Sequence, residues 1–216
     1  FDDNAYGGKS RGLNGTGSAA TCCSSDWFKI SSYRDGAEWY MEFENGIPKW
    51  SECQKRPLNG QATGTYIAYK PSQEVFSAEP INFNYDEICE QMREYSYFNK
   101  GIKFFVKNAV TGEVRSYLSK NGLMDFVKEQ LDKPIHKTPL HYVGSENGID
   151  VEIILQWTGK REEKFYLFSN GGENENGGTP TTGIKTALTN FFKKKLKGEA
   201  APDILRKGLV YVCSVN

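Results

Sequence analysis

The stretch DVEIILQWTGKREEKFYLFSN, residues 150–170, decides the fold class of this chain. It holds two β-prone runs, DVEIILQW (150–157) and EKFYLFSN (163–170), separated by a polar, glycine-containing turn. Downstream, TTGIKTALTNFFKKKL (181–196) is typical of a helix and GLVYVCSV (208–215) of another strand. Strands interleaved with helices predict an α/β (α+β) fold of layered sheet and helices.

The pattern is similar upstream. WFKISSYRDGAEWYMEFE (27–44) predicts a hairpin that turns at Asp35-Gly36, because glycine supplies the positive φ of such turns. NYDEICEQMREYSYF (84–98) predicts a helix with Asn84 as its N-cap. Its expected apolar stripe consists of Ile88, Met92 and Tyr95. Further expected elements are a strand over 63–71, a hairpin over 102–118 and a helix over 122–131.

Composition excludes some functions. Lys plus Arg and Asp plus Glu both total 27, which argues against a globally basic coat for nucleic acid. The five cysteines form no CxxC pair and only two histidines are present, so a metal site is not indicated. No apolar run approaches the roughly 20 residues that span a bilayer. We therefore expect a chain without membrane contact, located in the reducing cytoplasm.

The segment RGLNGTG (11–17) carries the clearest chemical signal. Its three glycines precede the small-residue run SAATCC (18–23), which predicts a helix. Several backbone N–H groups can then point into one concavity at the helix N-terminus, which suits a phosphate group. On spacing alone, an ordinary turn is the better interpretation of this segment. It is neither a Walker loop, since it lacks G-K-[ST], nor a Rossmann fingerprint, since no strand precedes it.

The longer string FDDNAYGGKSRGLNGTG (1–17) resembles the ATP lid of type IIA DNA topoisomerase B subunits, the family of gyrase B and topoisomerase IV B. Further segments resemble the same family in the same order. They are TGTYIAYKP (63–71), REYSYFNKGI (93–102), KPIH (133–136), GIDVEIILQW (148–157), NGGTPTTGIKTALT (176–189) and RKGLVYVCSV (206–215).

The resemblance implies that the chain is a fragment that contains parts of two domains. Residues 1–119 would be the C-terminal part of a GHKL ATP-binding sandwich that includes the lid and packs helices on one face of a mixed sheet. Residues 120–216 would be a transducer domain of mixed sheet and helices that lacks its Gln-Thr-Lys loop. The residues implied to bind ATP are Tyr6, Gly12, Leu13, Asn14, Gly15, Thr16, Gly17, Thr65 and Ile67. Asn14 and Thr16 stand where the family usually has His and Val, but the implied phosphate contacts are mainly to the backbone.

The implied function is the ATP-binding clamp of an ATP-dependent type II DNA topoisomerase, which couples ATP binding and hydrolysis to DNA strand passage. Its implied partners are double-stranded DNA, the topoisomerase A subunit and a second copy of the B subunit, which dimerises on ATP binding. The catalytic Glu and the Asn that holds Mg²⁺ are expected upstream of residue 1, so no catalytic or metal-binding residue is assigned here. A non-catalytic nucleotide-sensing or dimerisation module and a MutL-like GHKL ATPase are the alternatives.

Two further groups of residues have competing interpretations. Lys193, Lys194, Lys195 and Lys197 end a predicted helix, where cations complement the helix dipole in a solvated surface. The resemblance instead implies that they face the DNA cavity of the clamp. His136 and His141 lack a second imidazole or thiolate nearby in sequence, so we expect both to be structural.

Overall fold

A computed structural model describes residues 16–58, 60, 63–76, 80–169, 172–174, 177–196 and 202–215. The helices are α1 (Gly17–Cys23), α2 (Tyr85–Phe98), α3 (Leu123–Gln130), α4 (Thr179–Lys195) and α5 (Pro202–Leu205). The strands are β1 (Ser25–Arg34), β2 (Ala37–Glu44), β3 (Ile47–Pro48), β4 (Gln54–Pro57), β5 (Gly64–Pro71), β6 (Lys103–Lys107), β7 (Val114–Leu118), β8 (Leu140–Glu146), β9 (Ile149–Trp157), β10 (Lys164–Ser169), β11 (Gly172–Glu173) and β12 (Leu209–Val215).

The chain divides into two compact units, and the division falls between Phe83 and Asn84. The first unit contains α1 and β1–β5, and the second contains the remaining described elements. The domain boundary near Lys120 was predicted from a change in composition and from family order, and it stays a prediction. Within the described residues, no helix has both the length and the apolarity needed to cross a bilayer.

The first unit is built on one antiparallel sheet. Its strand order is β3-β2-β1-β5, and β4 also pairs with β2. The predicted hairpin is confirmed: β1 pairs with β2, and both Asp35 (φ 53°) and Gly36 (φ 67°) have the positive φ of a two-residue turn. The expectation of a mixed sheet was wrong for these strands, because each pairing is antiparallel. Antiparallel pairing does not require the crossover connections that parallel strands need.

The second unit contains a mixed sheet, as expected. Its strand order is β11-β10-β12-β9-β8, in which β10 and β12 are parallel and the other pairs are antiparallel. The parallel pair needs a crossover connection, which α4 and α5 supply. Six of the seven residues of β12 are buried. A strand buried along almost its whole length is typical of a sheet covered on both faces.

Helices cover the two faces of this sheet. On one face, Phe126 and Val127 of α3 pack with Ile154, Phe168 and Val212. On the other face, Ile184 of α4 packs with another set of strand residues, namely Leu167, Leu209, Tyr211 and Cys213. Successive residues of β10 and β12 thus enter opposite layers, as the pleat of a strand requires. The result is a three-layer arrangement around the central strand β12.

Helix α2 begins as the sequence predicted. The Asn84 side chain accepts hydrogen bonds from the N–H groups of Asp86 (3.1 Å) and Glu87 (3.4 Å). The predicted apolar stripe was misplaced by about one position, since Ile88, Met92 and Tyr95 are only half-buried. The most buried positions of the helix are instead Cys89, Ser96 and Tyr97. Their small or flat side chains allow close packing of α2 against α3 and the β6–β7 hairpin.

Candidate nucleotide-binding site

The N-terminus of α1 is the described part of the predicted phosphate loop. Thr16 is the N-cap, and its carbonyl oxygen accepts the Ala20 N–H at 2.8 Å. The Thr16 side chain makes no capping hydrogen bond. The first N–H groups of a helix have no acceptor within the helix, so those at the start of α1 can donate to another acceptor. They also carry the positive end of the helix dipole.

Gly17 leaves space at this point. A Cβ built on Gly17 would have no heavy atom within 4 Å, so the position borders open volume. Its φ is not among the positive values of the chain, so the backbone conformation does not demand glycine there. The space beside it fits the prediction that a ligand approaches the backbone closely.

Thr65 and Ile67 lie on β5, directly opposite Ser32 and Ile30 of β1. Both are exposed, and 46% of the surface of Ile67 remains accessible. Alternate residues of a strand share a face, so Thr65 and Ile67 point to the same side of the sheet. Exposed positions on a common face are what a ligand-lining role requires.

Helix α1 packs on this same face. A cavity of about 310 Å³ separates the helix from the sheet, and Cys22, Phe28, Ile30 and Phe43 are among its lining residues. Ile30 is the register partner of Ile67, so both side chains lie on the face of the sheet that α1 covers. The structure therefore brings the start of α1 and the two predicted β5 residues to one side of one sheet.

The sequence analysis missed the apolar floor of this cavity. Phe28 is buried, and its ring contacts Phe43 and Tyr69 at centroid distances of 6.1 and 6.4 Å. The alternation of apolar residues in WFKIS contains the signal, since Phe28 and Ile30 are two residues apart. Burial raises the pKa of the Cys22 thiol, and the adjacent Cys23 adds to the effect. Cys22 is therefore a packing residue rather than a nucleophile.

The other predicted ATP-binding residues, Tyr6, Gly12, Leu13, Asn14 and Gly15, lie outside the described residues. Their roles stay predictions. In the described ranges, no three His, Cys, Asp or Glu side chains group closely enough to hold a metal ion. The expectation that the Mg²⁺ ligand lies upstream also stays a prediction.

The structure shows where the basic end of α4 lies but assigns no function to it. Lys193, Lys194 and Lys195 form its last turn and are exposed, whereas Lys197 lies outside the described residues. This position suits the helix dipole, and it leaves the ammonium groups accessible to a polyanion. Contact with DNA stays a prediction.

Both ring nitrogens of His136 have hydrogen-bonding partners in the backbone. Its Nε2 accepts the backbone N–H of Trp157 at 3.3 Å, and its Nδ1 lies 2.8 Å from the carbonyl oxygen of Thr138. His141 is paired with Glu152 at 2.9 Å. Each imidazole thus has a hydrogen-bonding partner, in agreement with the sequence analysis.

Comparison with known proteins agrees with this arrangement. The family profile described as DNA gyrase B matches residues 122–216. The DNA gyrase B protein of Haloferax lucentense is 32% identical to this sequence and aligns with 100% of the chain. The DNA topoisomerase 4 B protein of Streptococcus pneumoniae is 30% identical and aligns with 95% of it. The chain belongs to the type IIA topoisomerase B-subunit family.

This member of the type IIA B-subunit family spans about a third of its relatives. It covers 36% of the Haloferax protein and 33% of the Streptococcus protein. Its fold matches the 43K ATPase domain of Thermus thermophilus gyrase B, a structure solved with an aminocoumarin, with a TM-score of 0.77. That match covers 89% of this chain and 55% of the other at 23% sequence identity. The fold expected from the resemblance, part of a GHKL sandwich followed by transducer elements, is thereby confirmed.

Proposed function

We propose that this chain forms part of the ATP-operated clamp of a type IIA DNA topoisomerase. The observation that carries the proposal is that the start of α1 and the exposed residues Thr65 and Ile67 share one face of one sheet. A phosphate-binding terminus and an apolar strand surface on the same side can hold the two ends of a nucleotide.

Different residues would contact different parts of the nucleotide. The N–H groups at the start of α1, together with the loop that contains Gly12 and Gly15, would donate to the β- and γ-phosphates. Ile67 would offer apolar surface to the adenine base, and Thr65 a hydroxyl beside it. ATP would supply the phosphate charge that draws the lid onto α1, and Mg²⁺ bound by upstream residues would neutralise part of that charge.

In the whole protein, ATP binding would close the lid and dimerise two B subunits around a DNA segment. The A subunit would cut and rejoin the second segment through which the first passes. ATP would act through a difference in its affinity for the open and closed states. The lysines at the end of α4 would contact the enclosed DNA through its phosphates, independently of its sequence.

Two glycines in open space provide a matched test. Gly17 and Gly183 are both helical, and a Cβ at either position would have no heavy atom within 4 Å. Gly17→Ala and Gly183→Ala should therefore both fold, since alanine is the better helix former by about 1 kcal/mol. Only Gly17→Ala should weaken ATP binding, by about tenfold or more, because its methyl group occupies the space beside the phosphates. Titration of the full-length protein with ATP measures this, and equal affinity of the two variants would refute the proposed site.

Activity tests the wider role. The full-length protein with its A subunit should change DNA linking number in an ATP-dependent way, and Gly17→Ala should reduce that rate while Gly183→Ala does not. Replacing Lys193, Lys194, Lys195 and Lys197 with Gln should flatten the salt dependence of DNA-stimulated ATPase activity. An unchanged salt slope would exclude the lysine contact while leaving the nucleotide site intact.

A further inference from the structure

The unit that begins at Asn84 contains a second cavity, of about 280 Å³, which the proposed nucleotide site does not use. It lies where the end of α2 and the start of α3 meet β8, β9 and β12. The volume is near the lower end of the range for small-molecule sites. Its polar lining residues are Lys100, Asn121, His141, Glu152 and Ser214.

The start of α3 opens into this cavity. Gly122 is the N-cap and has no side chain with which to cap the helix. The N–H of Gly122 donates to Ser119 Oγ at 2.8 Å, and the Asp125 N–H donates to the Gly122 carbonyl oxygen at 2.9 Å. Between them, the N–H groups of Leu123 and Met124 have no acceptor in the described part of the chain. The start of α3, with two free donors and the positive end of the helix dipole, therefore borders the cavity.

Ser214 is an independent sign of a ligand. It is only 5% exposed, yet it lines the cavity, and its hydroxyl has no hydrogen-bonding partner among the described residues. The hydroxyl is open to the cavity and free to donate a hydrogen bond to a ligand there. Ser214 is the register partner of Glu152, which places both side chains on the same face of the sheet.

Charge in the cavity favours an anion. Within the described ranges, the Lys100 ammonium has no carboxylate partner, and its side chain runs beside Gly122. Glu152 is the one acidic lining residue, and its carboxylate is already bonded to His141 Nε2 at 2.9 Å. The unengaged groups are therefore an ammonium, a hydroxyl and backbone N–H groups, all of which can donate hydrogen bonds.

We propose that this cavity binds the phosphate group of a small phosphorylated molecule. The phosphate oxygens would accept from the N–H groups of Leu123 and Met124, the Lys100 ammonium and the Ser214 hydroxyl. Charge-assisted hydrogen bonds from one ammonium and several oriented N–H groups are the usual means of holding such a group. None of these donors is among the residues of the proposed ATP site.

Nuclear magnetic resonance titration of the chain with inorganic phosphate tests the proposal. Amide shifts at Gly122, Leu123 and Met124 should change and saturate. Lys100→Gln, at an exposed position, should weaken the affinity by about tenfold, the effect of losing one charge-assisted hydrogen bond. Lys107→Gln is the control, because Lys107 is an exposed lysine on β6 that does not line the cavity.

Each possible result of this titration either supports or overturns the proposed phosphate site. Loss of affinity in Lys100→Gln but not in Lys107→Gln supports the site, and tighter binding of glycerol phosphate than of inorganic phosphate would identify an organic ligand. Equal affinity of the two lysine variants, or shifts that map only to the start of α1, would overturn the proposal. The second pattern would still leave the ATP site supported, so the two proposals fail independently.

Discussion

The backbone N–H of Trp157 donates a hydrogen bond to the imidazole Nε2 of His136 at 3.3 Å. The side chain thus serves as the acceptor that a backbone carbonyl oxygen supplies elsewhere in a sheet. The N–H can only donate, so Nε2 must be unprotonated and Nδ1 must carry the proton that bonds the Thr138 carbonyl oxygen. Trp157 in turn donates from its indole Nε1 to the Leu205 carbonyl oxygen at 3.2 Å. The His136 imidazole thus holds the end of β9 and, through Trp157, the end of α5.

Replacing His136 with Phe should therefore destabilise the chain. The ring volume is kept, but the acceptor for the Trp157 N–H and the donor to Thr138 are lost. We expect the free energy of unfolding to fall by about 1–3 kcal/mol. Urea denaturation measures the change. His141→Phe is the control and should change stability by less than about 0.5 kcal/mol, since His141 lies at the surface. Equal losses in the two variants would contradict the assigned role.

Gly208 should tolerate no side chain. Its φ is +75°, and an added Cβ would lie 2.5 Å from the carbonyl oxygen of Thr158. Gly148 has a similar φ of +79° but no heavy atom within 4 Å of such a Cβ. Gly148→Ala should therefore cost only the conformational term, about 1–2 kcal/mol. Gly208→Ala should cost about 4 kcal/mol or more, because backbone atoms must also move. Thermal unfolding of both variants measures the difference, and equal melting temperatures would refute the steric explanation.

Loss of the Glu163 carboxylate should destabilise the folded chain more than loss of an exposed carboxylate. Its carboxylate lies 3.3 Å from Arg206 Nε and 3.6 Å from Lys185 Nζ, and its side chain is 24% exposed. Glu163→Ala should destabilise by about 2–3 kcal/mol, because partly buried cations lose their counter-charge. Asp132 pairs with Lys160 at 2.9 Å, but both side chains are about half exposed. Asp132→Ala should cost less than about 1 kcal/mol. A larger loss in Asp132→Ala, measured by urea denaturation, would reverse this ranking.

Asp125 should make stability depend on pH in the acid range. Burial acts to raise the pKa of Asp125, but hydrogen bonds from Asn121 and Ser119 outweigh it and hold the pKa below its ordinary value of 3.8. A carboxyl group with a lowered pKa stabilises the folded state above its unfolded pKa. That contribution is lost as the pH falls through the folded value. In Asp125→Asn, unfolding free energies measured from about pH 5 to about pH 2 should show a shallower decline than in the parent chain. An identical slope would exclude this contribution.

Local signals predicted most of the elements. The cap of Asn84 and the turn at Asp35-Gly36 depend on short-range chemistry, and both appear as expected. Strand β8 was missed although Asn147-Gly148 follows it, a dipeptide that strongly favours a two-residue hairpin. Its residues are largely exposed, so the apolar alternation that marks other strands is weak there.

Sites assembled over long distances in sequence could not be predicted in the same way. Thr65 and Ile67 are two residues apart on one strand, so their common face follows from alternation and could be predicted. The cavity in the second unit brings together Lys100, which follows α2, His141 of β8 and Ser214 of β12. No short-range pattern connects residues separated by this much chain, because packing alone decides their proximity.

The position of β12 also constrains how the second unit is made. It is the last of its sheet's five strands in sequence, yet it lies between β10 and β9 at the centre. During synthesis, β8, β9 and β10 leave the ribosome before the strand that joins them exists. Their apolar faces stay uncovered until β12 has been synthesised. This exposes the nascent chain to aggregation and favours binding by chaperones. The central contacts link distant parts of the chain, so this unit should fold late and slowly relative to its hairpins.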